Sequence, residues 1–226
     1  MNVKARYWLW VPVSILAIGT LGALGYRAVA GTLREAESQA PSPVDIGFAQ
    51  SMIRHHDQAI VMTQVVAGDP NSRLGGLARA IWTAQLLEIG QMKGWLQLWH
   101  KPIVPTTSSM DWMLLGTRSP DRFVSKYLLD CRSSEGGMAG LATGPELNDL
   151  RARSGLERDR LFLELMFRHH QGAIPMARFV ASNAKLEPVK AQAAAIVVEQ
   201  TEELSSIVLR LRSIDKPLNP GQAAKG

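Results

Sequence analysis

Cysteine is almost missing from this chain: Cys131 stands alone among 226 residues. No internal disulfide can form, and there is neither a CxxC pair nor a Cys-rich zinc motif. Aromatic residues make up only 6% of the chain, but apolar content is ordinary, so a packed core of roughly 170–190 residues is feasible. No run of Lys and Arg is interleaved with aromatics. The net charge of +5 is therefore spread too thinly for a nucleic-acid footprint, and no nucleic-acid partner is expected. No segment alternates apolar and polar residues with period two, which removes the case for a sheet. Histidine is scarce as well, with five in all.

What is present begins with a long uncharged run. Tyr7–Tyr26 (YWLWVPVSILAIGTLGALGY) carries no charge over twenty residues, the length a helix needs to span a hydrocarbon core. Tyr7, Trp8 and Trp10 lie at one end and Tyr26 at the other, as in an aromatic belt, and Lys4 and Arg6 precede the run. This predicts a cytoplasmic N-terminus at 1–6 and a transmembrane anchor at 7–26, with the remainder outside the cytoplasm. The competing reading is a signal peptide cleaved near Ala28-Val29-Ala30, which would leave a secreted or periplasmic protein. Arg27 separates the run from that site, and the run is long for a signal peptide, so the anchor is preferred. A polar linker at 27–43 follows, ending in Pro41-Ser42-Pro43.

Four of the five histidines sit in a repeat. Phe48–Met62 (FAQSMIRHHDQAIVM) returns 114 positions later as Phe162–Met176 (FLELMFRHHQGAIPM). Nine positions match at this offset: Asp45/Asp159, Phe48/Phe162, Met52/Met166, Arg54/Arg168, His55/His169, His56/His170, Ala59/Ala173, Ile60/Ile174 and Met62/Met176. At helical spacing Phe48, Met52, His55, Ala59, Met62 and Val66 fall within about 80° of arc, with His56 on the shoulder. The helix after each copy also repeats, pairing Ile81/Ile196, Gln85/Gln200, Glu88/Glu203 and Met92/Ile207 at an offset of 115.

The predicted architecture is therefore all-α, with two copies of one helical hairpin at 44–100 and 143–214. The long helices are expected at about 44–67, 72–99, 157–183 and 187–213. A Pro-, Gly- and Ser-rich crossover spans 101–142, with a short helix near 121–130, and a flexible tail occupies 215–226. Thr143-Gly-Pro-Glu146 is a capping box opening a short helix to about Ser154. Pro175 removes one backbone hydrogen bond and is expected to kink the third long helix. Two hairpins joined by a long crossover make a four-helix bundle of ferritin-like connectivity.

Imidazole nitrogen and thioether sulfur both bind soft or borderline metals. Each of His55 and His169 has a methionine at i−3 and another at i+7, namely Met52 and Met62, and Met166 and Met176. His56 and His170 lie within reach of the same i−3 methionines. A methionine stripe is ordinary core filler, and a single buried histidine is usually just hydrogen-bonded. Repetition of the same polar residues on an apolar face favours the metal, because packing alone would use Leu or Phe. Glu88 and Glu203, at the margin of an apolar stripe, call for a cation or an imidazole N–H, and Gln85 and Gln200 accompany them as outer-shell residues. They could equally pair with the histidines simply to register the helices. Glu199 and Glu202 read as solvated charges, Asp45 and Asp159 as helix-start residues, and Arg54 and Arg168 as surface or interhelix ion-pair groups. Met110, Met113 and Met138, in the crossover, are candidate auxiliary thioethers, but their weak spacing favours core or loop packing.

FAQSMIRHHDQAIVM, WTAQLLEIGQMKGWLQLW at 82–99 and ATGPELNDLRARSGLERDRLFLELMFRHHQGAIPMA at 142–177 resemble the bacterial family catalogued as domain of unknown function 305, a CopM-like group with a ferritin-like fold. The resemblance covers Val44–Leu211. It implies an extracytoplasmic copper-binding role, with His55, His56, His169, His170, Met52, Met62, Met166 and Met176 as the metal-contacting positions. The crossover departs from the family's Met-Pro-Gly-Met-Ala, reading Met138-Ala-Gly-Leu141-Ala142, so one thioether is missing.

The expected function is a membrane-anchored, extracytoplasmic protein that binds Cu(I) or Cu(II) in copper buffering or tolerance, and is not an enzyme. One alternative is a metal-free helical interaction module whose His-His pairs are structural. A di-iron oxidase is the weaker alternative, because no Glu-x-x-His is present.

Overall fold

The computed structural model describes residues 25–32, 37, 39–116 and 120–214. It divides into Met1–Ala40 and Pro41–Gly226. In the first unit residues 25–32 are helical, so part of the expected linker forms a turn or two of helix, as the alanines there favour. Among the described residues no helix is long and apolar enough to cross a membrane. The expected anchor lies outside them except for Gly25 and Tyr26, and so does the tail from 215.

All regular structure described in the second unit is helical. It comprises α1 (Pro43–Ala67), α2 (Gly75–Leu98), a 3₁₀ turn (Asp111–Leu115), α3 (Arg122–Ser133), α4 (Gly144–Ala152), α5 (Gly155–Asn183) and α6 (Glu187–Ile214). The four long helices fall within a few residues of their expected limits. α2 begins at Gly75 rather than near Ser72, because Ser72 and Arg73 are bound elsewhere. The 3₁₀ turn was not foreseen. α5 continues through Pro175 as one helix.

α1 starts at a full capping box: the Ser42 hydroxyl accepts the Asp45 N–H, the Asp45 carboxylate accepts the Ser42 N–H, and Pro43 occupies the first turn. Thr143 and Glu146 open α4 in the same way. The two aspartates do more than start helices. Buried Asp45 also accepts the backbone N–H groups of Lys185 and Leu186, just ahead of α6. Its repeat partner Asp159, equally buried, accepts from the Ser72 hydroxyl at 2.5 Å and the Arg73 N–H at 2.9 Å, just ahead of α2. Each hairpin thus pins the loop of the other.

α1 packs on α2, α5 on α6, and α1 on α5. The core forms two clusters. One joins the N-terminal half of α1 (Val44–Ile53) to Met92, Leu96, Ala173, Met176, Val180, Val189 and Ile196. The other joins Ala59, Met62 and Val66 to Leu74, Ile81, Phe162, Met166 and Ile207. α1 and α5 therefore run antiparallel, and each of the four long helices contributes to both clusters.

The crossover is clamped to α1 and α5 by polar side chains. Gln58 makes a two-way bond with the backbone of Ala142, at 2.9 and 2.7 Å. Arg54 donates to the Gly136 carbonyl, and Arg168 pairs with Glu146 at 2.6 Å, holding that carboxyl down to about 2. Trp112 of the 3₁₀ turn donates to Ser51 at 3.0 Å and lies over Gly47, where a Cβ would stand 2.3 Å from its ring. Gly172 lets the backbone of Ala139 and Gly140 lie against α5, and a Cβ there would come within 2.0 Å of the Ala139 carbonyl oxygen. Backbone on both sides leaves no flexible atom to yield, so Gly172→Ala is expected to cost about 2–4 kcal/mol. Urea denaturation with an unchanged m-value would register this as a lower midpoint, and an unchanged midpoint would refute the close approach.

Candidate metal centre

Between the two apolar clusters every long helix inserts polar residues: His55 and His56 from α1, Gln85 and Glu88 from α2, His169 and His170 from α5, Gln200 and Glu203 from α6. The adjacency of each His-His pair explains the arrangement. Neighbouring residues on a helix point about 100° apart. One ring of each pair therefore faces the opposite hairpin while the other faces the helix of its own hairpin.

His55 and His169 meet across the α1–α5 contact with ring centroids 3.7 Å apart and planes at 41°. His56 and His170 flank them at 6.2 and 6.0 Å from their neighbours. All four side chains are fully buried. His56 Nε2 donates to Glu88 Oε2 at 2.6 Å, and His170 Nε2 to Glu203 Oε2 at 2.5 Å. His169 Nε2 donates to the His55 carbonyl oxygen at 3.0 Å. An acceptor on Nε2 fixes the hydrogen there and leaves Nδ1 as the other ring nitrogen. The Nδ1 atoms of His56, His169 and His170 are buried without any hydrogen-bond partner, and so are both ring nitrogens of His55.

Burial is the main reason that His55 and His169 are held well below the ordinary histidine range, and the neighbouring imidazoles lower them further. Both rings are neutral at pH 7, so the unpaired Nδ1 of His169 is a bare lone pair. Buried polar atoms without partners are rare, and each one calls for an ordered water, an ion or a chemical role. Metal-binding histidines are commonly held in this way, with a carboxylate accepting from one ring nitrogen and the other ring nitrogen left for the metal. In donor chemistry the layer fits a soft or borderline cation. Among the described residues, however, no three His, Cys, Asp or Glu side chains converge tightly enough to hold an ion. The four imidazoles form a row, and a ligand set would draw on pairs of them or on thioethers.

The methionines divide between the clusters. Met52 and Met176 lie in one and Met62 and Met166 in the other, so each hairpin places one thioether on each side of the histidine row. Met110, Met113 and Met138 are all buried in the first cluster, as packing residues would be. Cys131 is buried there too, where burial pushes its thiol up, away from the thiolate that binds metals. Gln85 and Gln200 are buried with both amide atoms unpartnered. Glu199 and Glu202 are exposed, as expected. Contact with the protein and the charges of Glu88, Glu203 and Glu202 nonetheless raise the Glu199 carboxyl, which places it within electrostatic reach of the histidine-bound carboxylates.

Sequence reasoning missed Gln192, whose amide donates to Glu88 Oε1 at 3.0 Å and ties α6 to α2. A signal existed. Gln192, Ile196, Glu199 and Glu203 descend α6 at i, i+4, i+7 and i+11, a single stripe.

The family profile for domain of unknown function 305 matches residues 45–209. The chain belongs to this family. Among solved structures it is similar to a Streptomyces coelicolor family member described as a candidate secreted protein, at 28% identity and a TM-score of 0.64, covering 76% of this chain and 93% of that one. A family fragment from Deinococcus radiodurans is 25% identical with a TM-score of 0.58, covering 77% and 99%. CopM in its Cu(II)-bound form is 25% identical with a TM-score of 0.55, covering 75% and 96%. The Cu(I)-bound form of CopM, at 23% identity and a TM-score of 0.55, shares the fold. No curated protein matches the chain.

The neutral rings set a pH dependence. The native fold holds His55 and His169 below their unfolded value, so below about pH 6.5 the unfolded chain binds more protons and stability falls. Stability is full above that pH and declines by about 1.4 kcal/mol per pH unit for each ring kept neutral. Denaturation of the metal-free chain between pH 7 and 5 should show this slope, and His55→Gln/His169→Gln should flatten it. A wild-type curve flat over that interval would mean that the rings are not held neutral.

Proposed function

We propose that this family member binds copper in the histidine layer and serves in extracytoplasmic copper buffering or tolerance, tethered by residues 7–26. The observation that carries the reading is the set of five buried imidazole nitrogens without partners, three of them on rings whose other nitrogen is already held by an acceptor. Four neutral or carboxylate-paired imidazoles in an apolar bundle are costly as packing and useful as ligands. The similarity to CopM, solved with Cu(I) and with Cu(II), supports the choice of metal. The secreted description of the Streptomyces relative supports the compartment. Two antiparallel hairpins joined by a long crossover support ferritin-like connectivity.

In this reading His55, His56, His169 and His170 hold the metal through ring nitrogen, with Met52, Met62, Met166 and Met176 available as thioether donors. Copper would supply a centre that accepts imidazole in either oxidation state and thioether in the reduced one. The chain's own contribution is preparation. Glu88 and Glu203 fix which nitrogen carries hydrogen, and Gln192 steadies Glu88. Burial keeps His55 and His169 deprotonated, so uptake there displaces no proton.

A second reading has its own support. The His56–Glu88 and His170–Glu203 bonds each tie the two helices of one hairpin together, as a metal-free interaction module would need. An anaerobic Cu(I) titration of the full chain in mild detergent, against a competing chelator and with Zn(II) in parallel, separates the two. Saturable copper uptake should raise stability by about 2.7 kcal/mol at a hundredfold excess over Kd. That increment should vanish in His55→Gln/His169→Gln and in His56→Gln/His170→Gln. Because only the copper-dependent increment is compared, a loss of basal stability in the variants does not confuse the result. An increment equal in wild type and variants, or none at all, would favour the metal-free module.

A further inference from the structure

The two ends of the bundle show different chemistry to solvent. Where α1 finishes and α5 begins, the surface is closed by ion pairs: Asp69 meets Arg158 at 2.9 Å and Asp149 meets Arg153 at 2.7 Å. At the opposite end, where α1 opens at Pro43 and α2 and α5 finish, large apolar side chains are left in the open. Leu98, the last residue of α2, is 77% exposed, and the 3₁₀ turn presents Leu114 and Leu115 at 45% and 61%. Trp112 and Met113 of the same turn face inward, Trp112 over Gly47 near the start of α1 and Met113 in the core.

Phe123, 69% exposed in the first turn of α3, completes this face. It lines a cleft of about 510 Å³ between α3 and α5, together with Met113, Ile174, Pro175 and Phe179. Gly116 ties the 3₁₀ turn to the same place: a Cβ there would stand 2.7 Å from the Phe179 ring and 2.9 Å from Asn183 Oδ1, in the last turn of α5. Leu115 and Phe123 therefore share one neighbourhood. Two cations border it. Arg122 lies 5.0 Å from the centre of the Phe123 ring, and Arg178 lines the cleft. Among the described residues neither is paired with a carboxylate. The nearby acids are already engaged, Asp111 by Arg132 at 2.9 Å and Asp121 by the backbone N–H groups of Phe123 and Val124.

We infer that this end of the bundle rests on a lipid bilayer, with Leu114, Leu115 and Phe123 in the headgroup layer and Arg122 and Arg178 toward anionic headgroups. The inference rests on the tether at 7–26 in the proposed function and is independent of copper. Position in the chain favours lipid as the occupant. α1 opens at Pro43, so the linker at 27–43 leads from the tether to this end and not to the polar one. A protein partner arriving from solution would be served equally well by either end. The composition agrees: exposed Leu and Phe flanked by Arg suit the interfacial layer, where apolar groups reach the upper acyl segments and guanidinium groups stay at phosphate depth.

Spin labelling of the full chain, reconstituted in vesicles of phosphatidylcholine with phosphatidylglycerol, tests the face. Nitroxides are attached in Leu115→Cys, in Phe123→Cys and, at the polar end, in Leu156→Cys. Cys131 is buried and stays unlabelled, which the chain without an added cysteine checks. Labels at 115 and 123 should collide more with oxygen, which concentrates in lipid, than with a water-soluble nickel chelate, and the label at 156 should show the reverse order. Arg122→Gln/Arg178→Gln should shift the 115 and 123 labels toward the chelate, and so should vesicles of phosphatidylcholine alone. Labels that move in neither case would overturn the part given to the arginines. Labels at 115 and 123 as open to the chelate as the one at 156, on a chain that stays with the vesicles, would overturn the lipid face alone. Labels shielded from both reagents, or broadened by one another, would mean that a second copy covers the face, and would also overturn it. Release of the chain by alkaline carbonate would overturn the tether and this inference together, leaving the copper reading as it stands.

Discussion

Carboxylate and carbonyl acceptors on the Nε2 atoms govern the centre of this bundle. A buried imidazole can be tolerated if its hydrogen has somewhere to go, and here Glu88, Glu203 and the His55 carbonyl supply three such places. Once those hydrogens are fixed, the opposite ring nitrogens have no partner in the protein. The rest of the molecule can be read as support for that condition. α1 and α5 are pressed together so that His55 and His169 touch, the apolar clusters above and below keep water away, and the hairpins are locked to one another by Asp45 and Asp159.

Duplication solves a construction problem. A single hairpin offers a two-histidine stripe with no second wall, and the repeat provides the wall by packing α1 against its own copy. The price is that both halves start with the same charges and donors. Divergence at a few positions then makes the two halves differ in their hydrogen bonding. Leu77 against Gln192 leaves Glu88 with both oxygens engaged and Glu203 with one.

Much of this was legible in the sequence because it is local or repeated. The helices follow from apolar spacing and capping boxes, and pairing of the hairpins follows from the 114-residue repeat. Burial of His55 and His169 follows from their place on the apolar stripe, whereas His56 and His170, on its shoulder, are buried because Glu88 and Glu203 meet them from the neighbouring helix. Other features depend on partners far away in the chain and left little trace. Asp45 and Asp159 look like ordinary first-turn acids until their carboxylates are seen to hold the loops before α6 and α2. The 3₁₀ turn at Asp111–Leu115 sets Trp112 over a side-chain-free notch at Gly47, a contact that no propensity signals. The methionines were placed by period alone, which cannot reveal that antiparallel packing sorts them into two clusters.

Everything rests on Nε2 carrying the hydrogen on His56, His169 and His170, which leaves Nδ1 free. Nitrogen-15 NMR of the metal-free chain with labelled histidine reads this directly at pH 7.5. Three rings are expected as Nε2–H, with hydrogen-bonded protons and unbonded Nδ1 shifts. Nδ1–H tautomers at these positions, or rings averaging freely between the two forms, would contradict it.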